Sequence, residues 1–415
     1  MKAKTVRFAA AILMAAVVTF SCKKEDVDPQ PAPEEPVDLD ITRFGTSNYY
    51  IVYGSDKTSA DALSSLIASK TSVSLEVVSG KSSAVRLCEI LVGVSGRDEH
   101  KAALALHDGK DGYCIQTSGH KLVIAGSNDS WTALGVKAFA DRIKDEGIWR
   151  EGDRITVPKN TEIVEAKEDP QLLAYLLSNG LPFDLKTVQV LNCYGEDGID
   201  VSQGAASDGK YFYILNRSSD DKRAIVYKYD IATRKSAGQS EVFNAGHAND
   251  MTYDSANSRL IIAHGQTEGK ILTPVDAATL KPGSNINITV GSGAITYNAS
   301  RASYAISQGG KSLYITDGNF KVTKSATRTD STGFTAQGMG SDDSYIYFPM
   351  SGGTNGNKIV VYGWDCKLVT VLSISDTIES ESMFYAAGKY YVSFYPGSHA
   401  GATLLELRPE YRYKN

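Results

Sequence analysis

A unit of about 44 residues recurs five times in the second half of this chain. The run Met251-Thr252-Tyr253-Asp254-Ser255-Ala256-Asn257 returns as Ile295-Thr296-Tyr297-Asn298-Ala299-Ser300-Arg301. Gln203-Gly204-Ala205-Ala206-Ser207-Asp208 returns as Gln337-Gly338-Met339-Gly340-Ser341-Asp342 and, more loosely, as Glu381-Ser382-Met383-Phe384-Tyr385. The units start at Gln203, Asn249, Gly293, Gln337 and Glu381, in steps of 46, 44, 44 and 44 residues. A fixed period of this size, filled with short aromatic and β-branched strands, predicts an all-β propeller of five blades over residues 184–415.

Within each unit the columns have distinct chemistry. Two residues after each start lies an apolar position: Ala205, Met251, Ile295, Met339 and Met383. Three further on come Asp208, Asp254, Asn298, Asp342 and Ala386; the first four are residue types that bond their own backbone in tight turns. Second strands follow, as at Tyr211-Phe212-Tyr213-Ile214 and Tyr345-Ile346-Tyr347-Phe348. An open array would leave sheet edges exposed. The chain after Leu407 is too short for an outer strand, so the strand-like run 187–192 is expected to complete the fifth blade. All but four of the 23 tyrosines (Tyr49, Tyr50, Tyr53 and Tyr113) lie beyond residue 170, as strand packing requires.

The other end of the chain reads as a targeting segment. Lys2, Lys4 and Arg7 precede an apolar run from Phe8 to Phe20, which at 13 residues is too short for a spanning helix of about 20. It ends at Thr19-Phe20-Ser21-Cys22, which resembles a bacterial lipobox with Cys22 as the lipidated residue. Residues 1–22 are then a lipoprotein signal peptide, and the charged, proline-rich stretch 23–47 is a tether that cannot bury a core. Lys24-Glu25-Asp26 resembles the acidic signals that send some lipoproteins to the outer face of the outer membrane. The expected membrane association is through the lipid alone.

Residues 48–150 alternate between helical and strand periods. Tyr49 to Tyr53, Val73 to Val78, Glu89 to Gly93, Tyr113 to Gln116 and Lys121 to Ala125 read as strands; Ser59–Ser69 and Ser130–Asp145 read as amphipathic helices. The expectation is an α+β sandwich, followed by a linker over 151–183 with one short helix at Leu172–Leu177. The order of Ile51-Val52-Tyr53-Gly54, Glu89-Ile90-Leu91-Val92-Gly93, Asp111-Gly112-Tyr113-Cys114-Ile115 and Leu122-Val123-Ile124-Ala125-Gly126 resembles the accessory domain of family 20 hexosaminidases and family 67 α-glucuronidases. That resemblance implies a secreted, carbohydrate-processing context. No (β/α)₈ barrel follows, so their catalytic carboxylates have no counterpart here. The Gln-Gly-Met pattern with Asp-Asp-x-Tyr-Ile-Tyr is similar to secreted bacterial propellers of unclear function.

A net charge of −5 gives no basic face for nucleic acid. The six histidines show no metal-ligand spacing, no cofactor motif stands out, and Cys88, Cys114, Cys193 and Cys366 show no pairing pattern. One constellation remains. In a closed ring the unit starts converge on one mouth, which brings together Gln203, His247, Asn249, Asp250, Gly293, Gln337, Glu381 and Glu379. Amides offer both donors and acceptors to sugar hydroxyls. The leading expectation is therefore non-catalytic binding of a glycan or other extracellular ligand there, or a scaffold for surface proteins. The alternative is a glycoside hydrolase with Asp250 and Glu381 as its carboxylate pair, because Asn249-Asp250 resembles the nucleophile pair of family 32 propeller enzymes and hydrolysis needs two nearby carboxylates.

Overall fold

The chain is predominantly β, built from many small sheets, and many of its strands are buried along nearly their whole length. The computed structural model describes residues 37–167, 171–195, 198–265, 269–308, 311–397 and 401–413. Cys22, most of the expected tether and His399 lie outside the described residues. Among those residues no helix is long and apolar enough to cross a membrane.

Nine strands come first: β1 (Leu39–Thr42), β2 (Tyr50–Tyr53), β3 (Val77–Ser79), β4 (Glu89–Val92), β5 (Asp111–Ser118), β6 (Lys121–Gly126), β7 (Arg150–Glu151), β8 (Arg154–Val157) and β9 (Glu162–Lys167). Six of them form one mixed sheet in the order β3-β2-β4-β6-β5-β9. The strands β3, β2, β4 and β6 run parallel, whereas β5 is antiparallel to both of its neighbours. Helices α1 (Lys57–Thr71) and α3 (Asp129–Lys144) pack Leu63, Ile67, Val136 and Phe139 against Ile51, Ile90 and Ile124 on one face. A helix absent from the sequence reading, α2 (Asp98–Ala105), places Ala103 against Val52, Leu91 and Val123 on the other. Each fully buried side chain of this size stabilises by about 1.5–3 kcal/mol. The two long helices start where side chains cap them: Asp56 accepts from Ser59 N at 3.0 Å and Asn128 from Trp131 N at 3.1 Å.

The stretches expected to be tether and linker carry structure. β1 pairs β8, which pairs β7, in a separate three-stranded sheet, and β9 is the edge of the six-stranded one. Ile155 and Val157 are fully buried in β8, an alternation of only two apolar residues that the surrounding charges and Pro158 conceal. The short helix is α4 (Leu172–Ser178).

The remaining strands are β10 (Phe183–Cys193), β11 (Val201–Ser207), β12 (Tyr211–Arg217), β13 (Ala224–Asp230), β14 (Ser236–Gln239), β15 (Asp250–Asp254), β16 (Arg259–Ala263), β17 (Ile271–Asp276), β18 (Ile286–Asn287), β19 (Ala294–Asn298), β20 (Ser303–Gln308), β21 (Ser312–Asp317), β22 (Val322–Thr327), β23 (Thr335–Ala336), β24 (Gly340–Ser341), β25 (Tyr345–Ser351), β26 (Asn357–Gly363), β27 (Leu368–Ile374), β28 (Glu379–Ala386), β29 (Lys389–Tyr395) and β30 (Ala402–Tyr411). They form small antiparallel sheets, β11 to β14, β15 to β18, β19 to β22, β23 to β27, and β28 to β30 with β10. The first strands of successive sheets touch: β11 meets β15, β15 meets β19, β19 meets β24, β24 meets β28, and β28 meets β11. The strand β10 runs antiparallel along the full length of β30, from Phe183 opposite Tyr411 to Cys193 opposite Ala402.

Tyrosines tie these sheets together. Tyr304 in β20 donates to Asp254 of the preceding sheet at 2.6 Å, and Tyr390 in β29 donates to Asp342 of the preceding sheet at 2.8 Å. The same aspartates hold their own turns, as when Asp342 accepts from Ser344 N and Tyr345 N at 2.8 Å each. The end of β30 then reaches the N-terminal unit, where Tyr411 packs with Trp131, Leu134 and Leu176, and Tyr411 N donates to Ser130 Oγ at 3.2 Å.

Candidate functional site

The innermost strands aim backbone groups at a common centre, and one side chain takes them. Asp250 begins β15 and is fully buried. Its Oδ1 accepts from Met251 N at 2.9 Å and from Ser382 Oγ at 2.8 Å; its Oδ2 accepts from Ile295 N and Met339 N, both at 2.9 Å. Donors from four different sheets therefore meet on one carboxyl. Burial pushes the Asp250 pKa up to about 7, against the opposing pull of those donors. The glycine of the Gln-Gly-Met pattern makes this approach possible, since a Cβ on Gly338 would lie 2.3 Å from Glu381 O and 2.9 Å from Asp250 Oδ1.

Beside Asn249, the residue before Asp250, lies a cavity of about 410 Å³. Its walls include His247, Asn249, Gly293 and Gln337 from the expected constellation, with Lys311, Phe334 and Phe348 beside them. Asn249 spends its amide on the framework: Nδ2 donates to Gly293 O at 2.5 Å and to Gln337 O at 2.9 Å. That leaves its oxygen as the group available to a ligand. Gln337 donates through Nε2 to Glu379. His247 shares Asp221 with Arg217, at 3.1 Å from its Nδ1 and 2.8 Å from Arg217 Nη1.

The segment 328–336 closes one side of the cavity, and no sequence pattern marks it. Arg328 makes a bidentate pair with Asp330, both contacts at 3.0 Å, and lies 3.9 Å over the Phe348 ring. Tyr362 donates to Asp330 at 2.7 Å and accepts from Thr329 N at 2.9 Å. Phe334 packs on the same apolar cluster as Phe348 and Tyr362.

The expected residues thus divide into two groups. His247, Asn249 and Gln337 line the cavity, whereas Gln203, Asp250 and Glu381 lie buried and do not. Gln203 turns its amide to Ser202 O at 2.8 Å. Glu381 is 4 % exposed, and among the described residues its carboxyl accepts no hydrogen bond. Burial first, and then the neighbouring Glu379, holds the Glu381 pKa well above the ordinary carboxylate range, with Arg217 opposing. The Asp250–Glu381 pair therefore presents no substrate-accessible carboxylate at the cavity. A separate recess of about 80 Å³ is lined by Tyr253, Tyr297 and Tyr385. Met251, Met339 and Met383, each 1 % exposed, border it. Among the described residues no group of three or more His, Cys, Asp or Glu side chains could hold a metal ion, and Cys88, Cys114, Cys193 and Cys366 are free thiols.

No protein-family model matches the chain, and no curated protein does. Among solved structures it is similar to hydrazine synthase of Kuenenia stuttgartiensis, at 14 % identity and a TM-score of 0.32 over 50 % of this chain and 58 % of that one. A luciferin-regenerating enzyme matches at 8 % identity and a TM-score of 0.36, over 55 % of this chain and 95 % of its own. The tail fiber of Staphylococcus aureus phage P68 matches at 11 % identity and a TM-score of 0.39, over 55 % of this chain and 53 % of that one. The matched region spans little more than half of the hydrazine synthase and tail-fiber chains.

Proposed function

We propose that this chain is an exported lipoprotein anchored through Cys22 to the outer membrane and exposed at the cell surface. Its 48–150 region is an α+β accessory domain, enlarged by the strands at 39–42 and 150–167. Its C-terminal sheets form a five-bladed β-propeller closed by the strand that includes residues 187–192. The propeller mouth binds a neutral glycan or similarly polar extracellular ligand without catalysis. The observation that carries this reading is the 410 Å³ cavity, in which Asn249, His247 and Lys311 supply polar groups beside the rings of Phe334 and Phe348. Pockets of about 300–1,000 Å³ with a few convergent polar groups on an apolar wall suit small ligands, and amide and imidazole groups suit hydroxyls. The burial of Asp250 and Glu381 favours binding over hydrolysis.

The test is a glycan array probed with the mature protein, followed by titration calorimetry on any hit. Binding that Asn249→Ala and Phe334→Ala both weaken supports the mouth as the site. Silence across plant, host and microbial glycans sinks the lectin reading and favours a surface scaffold.

A further inference from the structure

A second cavity, of about 540 Å³, opens where the N-terminal sheet faces the last C-terminal sheet. Its position follows from the topology of the first unit. The parallel strands β2, β4 and β6 all end at this edge, and the loops after them contribute Ser55, Val94 and Asn128 with Asp129. In open sheets with parallel strands, ligands collect outside the carboxyl ends, near the point where the chain turns to opposite sides. Here β2 leads to β3 on one side, while β4 leads across to β5 and β6 on the other. The facing wall is the outer part of the last sheet, including Lys389, Arg408 and Arg412.

The chemistry of the two walls is complementary. On the first wall, Asp129 accepts from Ser55 Oγ at 2.5 Å, Asp111 accepts from Ser127 Oγ at 2.7 Å, and Asn128 commits its oxygen to the helix cap. The Asn128 amide donor is left without a partner among the described residues. On the second wall, Lys389 and Arg408 share Glu406 at 3.1 and 2.6 Å, and Arg412 pairs with Glu410 at 3.0 Å. Across the cavity, Asp129 Oδ2 and Arg412 Nη1 form a long ion pair at 3.9 Å. Acceptors on the first wall, the Asn128 amide and the donors on the second wall suit sugar hydroxyls, which both donate and accept. An ionic ligand gains little where each cation is already paired, and Val94, Leu172 and Pro409 offer apolar surface to C–H faces.

We propose that this cleft is a second ligand site, separate from the propeller mouth, for a neutral polyhydroxylated ligand of oligosaccharide size, which hydrogen-bonds to Asn128, Asp129 and Arg412 on its walls. The experiment is titration calorimetry of the mature protein with cellotriose, xylotriose, maltotriose and chitotriose. It is repeated on Val94→Trp, which fills the cleft from a side chain that is 55 % exposed, and on Asp129→Asn. The expected result is binding of at least one trisaccharide, weakened about tenfold or more by each substitution, with the Val94→Trp melting temperature unchanged. If none of the four binds at millimolar concentration, the proposal fails. If one binds and Val94→Trp binds it as well as wild type does, the sugar sits elsewhere and the cleft proposal fails while the mouth reading survives.

Discussion

The Asp250 carboxyl and the Ser382 hydroxyl meet at 2.8 Å although 132 residues separate them in the chain. With Met251, Ile295 and Met339 donating to the same carboxyl, the bond makes Asp250 the one side chain on which the inner strands β15, β19 and β28, and the segment leading into β24, all converge. Asp250→Ala leaves three buried N–H groups without an acceptor, each worth about 1–3 kcal/mol. The expected loss is at least about 3 kcal/mol by urea denaturation. A loss under about 1 kcal/mol would show that water replaces the carboxyl without cost.

The same residue sets a pH dependence. Folded, Asp250 keeps its proton up to about pH 7; unfolded, it loses it near its ordinary value of 3.8. Between those limits the folded state binds more protons, so its contribution to stability is full below the lower limit and declines as pH rises through the window. At about 1.4 kcal/mol per pKa unit the decline is on the order of 4 kcal/mol, and Glu381 acts in the same direction. Denaturation midpoints measured between pH 4 and 8 should slope less steeply in Asp250→Asn than in wild type. Parallel curves would refute the assignment.

Tyr304→Phe removes the 2.6 Å bond to Asp254 across two sheets while keeping the ring that stacks on Phe320 at 4.4 Å. A hydrogen bond to a charged partner is worth about 1.5–3 kcal/mol, so a loss of that size is expected in thermal unfolding. Ligand binding at the mouth should not change, because Tyr304 does not line the cavity.

Lipidation is tested in the cell. Cys22→Ser should move the protein from the membrane fraction to a soluble form, or leave it unprocessed, with the circular dichroism of the purified folded part unchanged. Identical fractionation of variant and wild type counts against anchoring.

At the rim, Phe334→Ala and Arg328→Ala separate contact from support. Phe334→Ala removes ring surface at the cavity and should weaken ligand binding by about 1–3 kcal/mol, with a smaller loss of stability than Arg328→Ala because the ring is only partly buried. Arg328 is buried and holds Asp330, so Arg328→Ala should lower both stability and affinity. Equal behaviour of the two variants would mean that Phe334 acts through the fold.

The repeat period visible in the sequence reappears as hydrogen-bond spacing. Asn249 to Gly293, Asn298 to Asp342, and Ser341 to Tyr297 each join residues 44 apart. Those columns were legible because every unit solves the same packing problem. The fate of Asp250 was not, since its burial depends on donors supplied from 45, 89 and 132 residues further along the chain. In sequence, Asn249-Asp250 reads as a polar strand start at an open mouth, with Asp250 a candidate carboxylate. The rim segment 328–336 has no apolar period to betray it, and α2 is only 8 residues long with a buried face of two residues. The strand β9 alternates, but its apolar residues are only half-buried or exposed, so composition there points to a linker.

The far end of β30 has a consequence for how the molecule is made. Tyr411 and Tyr413 cover apolar residues of the first unit, and β10 waits for β30 before it has any partner strand. A chain synthesised from its N-terminus therefore delivers an early unit whose last contacts arrive only with β30 and the residues just after it. Until then Trp131, Leu134 and Leu176 lack their cover, and interrupted products carry an exposed apolar face that proteases and chaperones can recognise. The strand β30 thereby ties the completion of the early unit to the synthesis of the last sheet.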